Sequence, residues 1–422
     1  MVDAPLARRG RAPTGAAAAP GCGEARSPAG WSRGQLVGWA PPAVGTRRRD
    51  LQENTVQDPR PAPSLLTVDD FERAARARLS KMAYDYYRSG ADEGRTLREN
   101  RRAFRRLEIH YRVLVDVAER DMSTTVLGTR VPFPILVAPT AYQRLAHPDG
   151  EIASSRAASE LGTIFTLSTL STTSLEAVAG ASPGPKWFQL YVHKDRGLTR
   201  ALVERAESSG YRALMLTVDT PVLGRRIADV RNGFALPEGL VMANLADAAT
   251  AAPAEERGSL LASYVATRHD ASLTWRDVGW LASLTRLPLL LKGIVRPDDA
   301  LRALEAGAAG VVVSNHGARQ LDGAPATIEA LPAIADAVAG RCLVLMDGGI
   351  RWGTDVLKAI ALGARAVLIG RPVLWGLAAL GGEGVARVLA GLRDELSIAM
   401  ALAGCPTLAS IDRDLIRRAH AR

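Results

Sequence analysis

A histidine and an arginine stand three residues apart in SNHGARQLDG, residues 314–323, directly after the apolar run GVVV. Burying an unpaired charge costs several kcal/mol, so core packing explains His316 and Arg319 poorly. His316 is the residue type that acts as a general base at neutral pH, and Arg319 offers a forked donor suited to a carboxylate. Other apolar runs also end on polar groups. ALMLTVD ends on Asp219, which can hold an imidazole in one tautomer and stabilise its cation. LPLLLKG ends near Lys292, an ammonium that needs an anion beside it to stay charged.

Two further stretches read as an anion grip. DGGIRWGTDVLKA, from Asp347, offers Gly348 and Gly349 for close backbone approach, then Arg351, then a helix whose N-terminus favours negative charge. Gly370 and Arg371 close the same grip from the last apolar run. The pattern is that of a phosphate site at the mouth of a barrel. No GxGxxG follows a strand and no GxxxxGK[ST] occurs, which disfavours a dinucleotide fold and a nucleotide P-loop.

These groups share a rim only if the elements before them are parallel strands. Eight β-rich runs begin at residues 134, 163, 187, 213, 287, 310, 342 and 366, mostly at the spacing of a βα unit. The spacing predicts an α/β fold, a (β/α)8 TIM barrel, with chemistry at the C-terminal strand ends. The strand ends carry Thr140 and Ala141, Ser168, Gln189 and Tyr191, Thr217 and Asp219, Lys292, His316, Asp347, and Gly370 with Arg371. The long gap after Asp219 predicts a lid insertion after strand 4. Thr67 with Asp70 predicts a capped helix over VDDFERAARARL, and Leu97, Asn100, Phe104 and Leu107 a second helical stretch, together an N-terminal helical extension.

Composition narrows the class. With 422 residues, 47% apolar and 23% charged, the chain can bury a large core. Its net charge of +9 comes partly from an Arg-rich, Ala/Pro/Gly-rich stretch over residues 1–63, which reads as a disordered tail, leaving 64–422 as the barrel domain. No basic, aromatic stripe suggests nucleic acid. The apolar runs are shorter than the ~18 residues of a membrane span, and no signal peptide or peroxisomal address is evident, so a cytoplasmic location is expected. Cys22, Cys342 and Cys405 lack metal-site or disulfide-framework spacing.

Together these motifs resemble the FMN-dependent 2-hydroxy-acid oxidases and dehydrogenases, the family of glycolate oxidase and lactate oxidase. The likeness runs from about residue 66 to about 413 and rests on YDYYRSGADEGRTL, APTAYQRLAHPDGE, FQLYVHKDR, LTVDTPVLGRR, LLKG, SNHGARQLD, DGGIRWGTDVLKAIALGA and IGRPV. The resemblance implies FMN as cofactor, its phosphate held by Arg351, Gly370 and Arg371. The ring would lie among Thr140, Ala141, Ser168, Gln189, Thr217 and Lys292, with Ser314, Asp347 and Gly349 completing the set. It implies carboxylate binding by Tyr86, Arg226 and Arg319, Tyr191 near the substrate hydroxyl, and His316 as the base with Asp219 as its partner. The reaction implied takes an (S)-2-hydroxy acid to the 2-oxo acid and oxygen to hydrogen peroxide, in a homo-oligomer, tetramer or octamer.

Departures bear on the substrate. Leu170 stands where glycolate oxidases carry a tryptophan, which implies a larger acid. AYQRL, VRNGFALPEG and RQLDGA resemble mandelate or hydroxymandelate oxidases, and Ala141 fits an oxidase; a quinone-linked lactate-type dehydrogenase is the alternative within the family. Residues 233–268 show no basic, apolar membrane anchor, and the tail lacks the signature of a haem domain. A non-redox phosphate-binding barrel would explain DGGIR but leaves Tyr86, His316 and Arg319 without a role. His110, His147, His193, His269 and His420 read as solvated or locally bonded.

Overall fold

Each of the eight apolar runs contains a strand: β1 (Ile135–Val137), β2 (Phe165–Ser168), β3 (Lys186–Leu190), β4 (Leu214–Thr217), β5 (Leu289–Ile294), β6 (Gly310–Val313), β7 (Leu343–Asp347) and β8 (Ala366–Ile369). All pair in parallel with their sequence neighbours. β8 returns to β1 through Val367 opposite Ile135 and Ile369 opposite Val137, which closes the barrel. This is the (β/α)8 fold expected from the spacing. In this computed structural model, residues 65–245 and 260–419 are described. The tail assigned to residues 1–63, part of the lid insertion (246–259) and His420 lie outside the described residues. The chain divides into units Met1–Pro59 and Arg60–Arg422, and every described residue belongs to the second.

Alternation along the strands sorts the core into two layers. Leu136, Trp187, Met215, Leu290, Val312, Leu345 and Leu368 pack together inside the barrel, joined by Val126 and Val131 of a short hairpin (Thr124–Val126 with Thr129–Val131). Ile135, Val137, Phe165, Leu167, Phe188, Leu214, Leu291 and Val313 face outward into the helical layer. Both faces are therefore covered, which is why the runs read as continuously apolar.

The N-terminal extension folds as anticipated. Helix α1 (Val68–Arg78) starts with a capping box in which Thr67 and Asp70 satisfy each other's backbone amides. Helix α2 (Lys81–Arg88) carries the three tyrosines, and α3 (Arg95–Arg105) begins where Asp322 accepts from the amides of Arg95 and Thr96. Asn100 of α3 and Asn315 exchange two side-chain hydrogen bonds of 2.9 and 2.8 Å in the buried core. The extension is thus bolted to the loop after β6.

After β4, the insertion contributes helices Ile227–Arg231, Leu260–Arg268 and Trp275–Ser283. Its described parts are anchored: Asn244 accepts from Leu175 N and donates to Ser171 Oγ, and His193 and His269 form an antiparallel bridge. One difference concerns the C-terminal helix, Arg371–Ala403, which is long and apolar enough to cross a membrane although no single apolar run suggested it. It breaks helical geometry at Leu380 and Gly381, and 67% of its most apolar window is buried inside the protein, as a core helix requires.

The rim loops of β1 and β2 are tied by one buried carboxylate. Glu151 accepts from Gln143 N, Thr172 N, Thr172 Oγ1 and Thr173 Oγ1 at 2.8–3.1 Å. Replacing one of its oxygens with an NH2 group sets donor against donor. Glu151→Gln is expected to lower unfolding free energy by about 2–3 kcal/mol in urea titrations, and an unchanged midpoint contradicts this account.

Candidate active site

Backbone geometry after β6 puts His316 at the barrel mouth. His316, Gly317 and Ala318 are consecutive left-handed residues with φ of 57°, 61° and 63°. Left-handed geometry at a non-glycine residue is costly and persists only where the surroundings impose it. Here Ala318 N donates to Asn315 O and Oδ1, Ala91 N donates to Ala318 O, and the Asn100–Asn315 pair fixes the entry. The strained turn lifts the imidazole into the cleft.

Asp219 holds it there. Its Oδ1 lies 2.8 Å from His316 Nδ1, while Thr220 Oγ1 is 3.4 Å from the same nitrogen and 3.2 Å from Asp219 Oδ1. Space for Asp219 comes from β5: Gly293, with φ of 113° at a register shift, leaves a position where a Cβ would come within 2.6 Å of Asp219 Cβ. Burial would raise the Asp219 carboxyl, but the adjoining imidazole holds it below its ordinary value. Burial also pulls His316 below its ordinary 6.5, only partly offset by Asp219. The ring is therefore neutral at neutral pH, with Nδ1 engaged and Nε2 left as its proton acceptor.

Around this pair, one cleft is lined by Tyr86, Thr140, Ala141, Ser168, Leu170, Gln189, Tyr191, Thr217, Arg226, Lys292, His316, Arg319, Asp347, Gly349, Arg351, Gly370 and Arg371. It encloses about 1100 Å³ of space free of atoms, open solvent included. The structure thus brings together nearly the whole predicted set. Lys292 Nζ lies 3.1 Å from Asp347 Oδ2 and 3.0 Å from Ser314 Oγ. Burial opposes its charge, yet Asp347 and Asp219 raise it above its ordinary value. Lys292 therefore has its anion within the protein. Arg319 lies 4.9 Å over the Tyr86 ring and donates to the Tyr86 and Ser89 carbonyls, and Tyr86 stacks on Phe234 at 4.2 Å. Arg371 donates to the Tyr87, Gly317 and Ser89 carbonyls, joining the end of β8 to α2.

Four expectations need correction. Ser314 does not line the cleft: fully buried, it supports Lys292 and accepts from His316 N, while Asp219 orients His316 from behind. The helix after Arg351 does not present a free N-terminus, because Asp355 accepts from Arg351 N and Trp352 N and Glu395 from Gly353 N. Gly349 is required by packing as much as by an anion, since a Cβ there would meet Asn100 O at 2.0 Å. Finally, whereas His193 bonds Tyr264 Oη through Nε2, His269 is neither solvated nor locally bonded through its ring but buried and lining the cleft. Its signal was present in the insertion: Leu261, Val265 and His269 fall at helical spacing, all three facing the cleft. Thr220 and Leu223, beside Asp219, were also missed.

Comparison with known proteins agrees with this geometry. Residues 75–418 match the family described as FMN-dependent dehydrogenase. Glycolate oxidase 3 of Arabidopsis thaliana is 52% identical over 353 residues, covering 84% of this chain and 96% of that protein. The L-lactate oxidase of Nostoc sp. is 54% identical over 361 residues, covering 84% and 98%. Among solved structures, a mandelate oxidase crystallised with (S)-4-hydroxymandelic acid superposes with a TM-score of 0.80 at 46% identity, covering 83% of this chain and 98% of that one.

The His316–Asp219 geometry has a spectroscopic consequence. In NMR of 13C-labelled histidine, the His316 ring should titrate below 6.5, and Asp219→Asn should move it further down by removing the carboxylate that raises it. An upward shift in that variant would mean Asp219 does not stabilise the imidazolium.

Proposed function

The chain belongs to the FMN-dependent dehydrogenase family, and from that premise we propose that its cleft oxidises an (S)-2-hydroxy acid to the 2-oxo acid, with oxygen reduced to hydrogen peroxide. The observation that carries the reading is His316, held at 2.8 Å by Asp219, in one cleft with Arg226, Arg319, Lys292, Arg351 and Arg371. A general base in one cleft with two guanidiniums suits a substrate bearing a carboxylate on the carbon whose hydroxyl is oxidised.

The residues present fit FMN. Gln189 Nε2 and Arg351 Nε are buried donors without a hydrogen-bond partner among the described residues, and both belong to cleft residues. An amide and a guanidinium are the donors that a ring carbonyl and a phosphate accept. We place the phosphate with Arg351, Arg371, Gly349 and Gly370, and the ring with Thr140, Ala141, Ser168, Gln189, Thr217 and Lys292. When bound, FMN supplies two-electron acceptor chemistry and reacts with oxygen.

The protein's own groups supply the rest. Arg226 and Arg319 hold the carboxylate, the stack of Tyr86 on Phe234 fixes Arg319 from beneath, and Tyr191 lies beside the substrate hydroxyl. His316 Nε2 accepts a proton from the substrate, and Asp219 stabilises the resulting imidazolium. Leu170, Leu223, Leu261 and Val265 form an apolar wall, which supports a side chain larger than that of glycolate. The likeness to a mandelate oxidase points the same way and supports an aryl side chain.

The purified protein should be yellow, and an (S)-2-hydroxy acid should bleach it without oxygen, at a rate that His316→Ala lowers by about 10²–10⁴-fold with FMN retained. Because burial holds His316 below 6.5, bleaching by wild type should be constant at and above neutral pH and fall only in acid, as the base protonates. Unchanged bleaching in His316→Ala, or a rate that rises in acid, would overturn the base assignment.

A further inference from the structure

His269 is the one polar side chain on an otherwise apolar stripe of the insertion. Its backbone N–H donates to Val265 O, so Leu261, Val265 and His269 follow one another at successive turns and face the cleft together. Leu170 and Leu223 line the same cleft. His269 is 3% exposed, yet neither ring nitrogen has a hydrogen-bond partner among the described residues. Its ring stacks on Tyr191 at 4.6 Å and meets the ring of Tyr264 edge-on at 5.4 Å.

Packing alone does not account for this residue. An apolar side chain would fill the stack without leaving a buried donor and a buried acceptor unpaired, and each such group is costly. The neighbouring His193 is satisfied at one nitrogen, with Nε2 2.7 Å from Tyr264 Oη, whereas its Nδ1 is unpartnered among the described residues. His269 has no such partner among the described residues; the open side of its environment is the cleft.

We propose that His269 is a specificity residue, which hydrogen-bonds a polar group on the distal part of the substrate's side chain. The preferred substrates are then (S)-2-hydroxy acids whose side chain is apolar along its length and carries a hydroxyl further out, hydroxyaryl acids being the class that fits. The proposal rests on the 2-hydroxy-acid reading of the site. Burial, reinforced by His193, brings His269 down to about 3, so the ring is neutral and presents one donor and one acceptor, the pair a hydroxyl can use in either direction. Tyr191, stacked against His269, places this subsite next to the reacting end of the cleft.

The test uses FMN-loaded enzyme with (S)-mandelate and its ring-hydroxylated isomers. Wild type should favour one hydroxylated isomer in kcat/KM by about tenfold over mandelate, the value of one net hydrogen bond. His269→Leu should bring that ratio close to one, and His269→Gln, which keeps a donor and an acceptor, should restore part of it. Calorimetric binding of benzoylformate and its hydroxylated counterpart to the oxidised holoenzyme should show the same pattern without turnover. A preference unchanged in His269→Leu, or no preference for any hydroxylated isomer in wild type, overturns the proposal. If no 2-hydroxy acid bleaches the flavin, the functional reading fails, while the calorimetric ratio still decides whether His269 forms a polar subsite.

Discussion

The organising constraint of this protein is an excess of buried positive charge at one end of its barrel. Arg226, Arg319, Lys292, Arg351 and Arg371 all line a single cleft. Asp347 and Asp219 balance Lys292, but the guanidiniums are less well served. Burial, then the charge of Arg226, brings Arg319 down to about 10; burial, then Arg101, does the same for Arg351; Arg371 is lowered by burial and by Arg319 and Arg351. Cations crowded in a low-dielectric site are unfavourable until anions arrive. The cleft is therefore suited to anionic ligands, and under the proposed function it holds two, a phosphate with Arg351 and Arg371 and a carboxylate with Arg226 and Arg319.

Holding such a site open requires a frame that does not relax around it. The closed barrel provides this, because each strand is paired on both sides and cannot slide without breaking the ladder. Strain is confined to the turn at His316–Gly317–Ala318 and offset by the Asn100–Asn315 exchange and by Ala91 N bonding Ala318 O. The N-terminal extension belongs to the site in this sense: α2 supplies Tyr86 and α3 supplies Asn100. Arg371 ties the same extension to the end of β8 through the Tyr87 and Ser89 carbonyls, and the loop after β6 through Gly317 O.

How much of this was legible in the sequence depended on how locally each feature is encoded. All eight strands were, because parallel strands buried on both faces read as continuous apolar runs and their spacing repeats. Their ends were less sharp: PILVAP and CLVLMDGG run past β1 and β7 into rim residues that are buried or half-buried, so the runs do not stop where the strands do. The pairing of His316 with Asp219 was also readable, since each closes its own strand. Features that depend on a third element were not. Glu395, distant in sequence, occupies the helix end after Arg351; Asn100 dictates Gly349; and Ser314 turns from the cleft toward Lys292 because that ammonium needs a second partner. His269 does follow Leu261 and Val265 at helical spacing, but that spacing alone does not tell that the stripe faces the cleft, which the packing of the insertion on the barrel decides.

The charge account is tested most directly by calorimetry of the apoprotein with FMN, with riboflavin, and with FMN followed by oxalate, an inert dicarboxylate. If the buried guanidiniums set the site, FMN binds far more tightly than riboflavin, oxalate binds to the FMN-loaded protein, and Arg319→Leu abolishes only the second event. Equal affinity for riboflavin and FMN, or oxalate binding unaffected in Arg319→Leu, would contradict it.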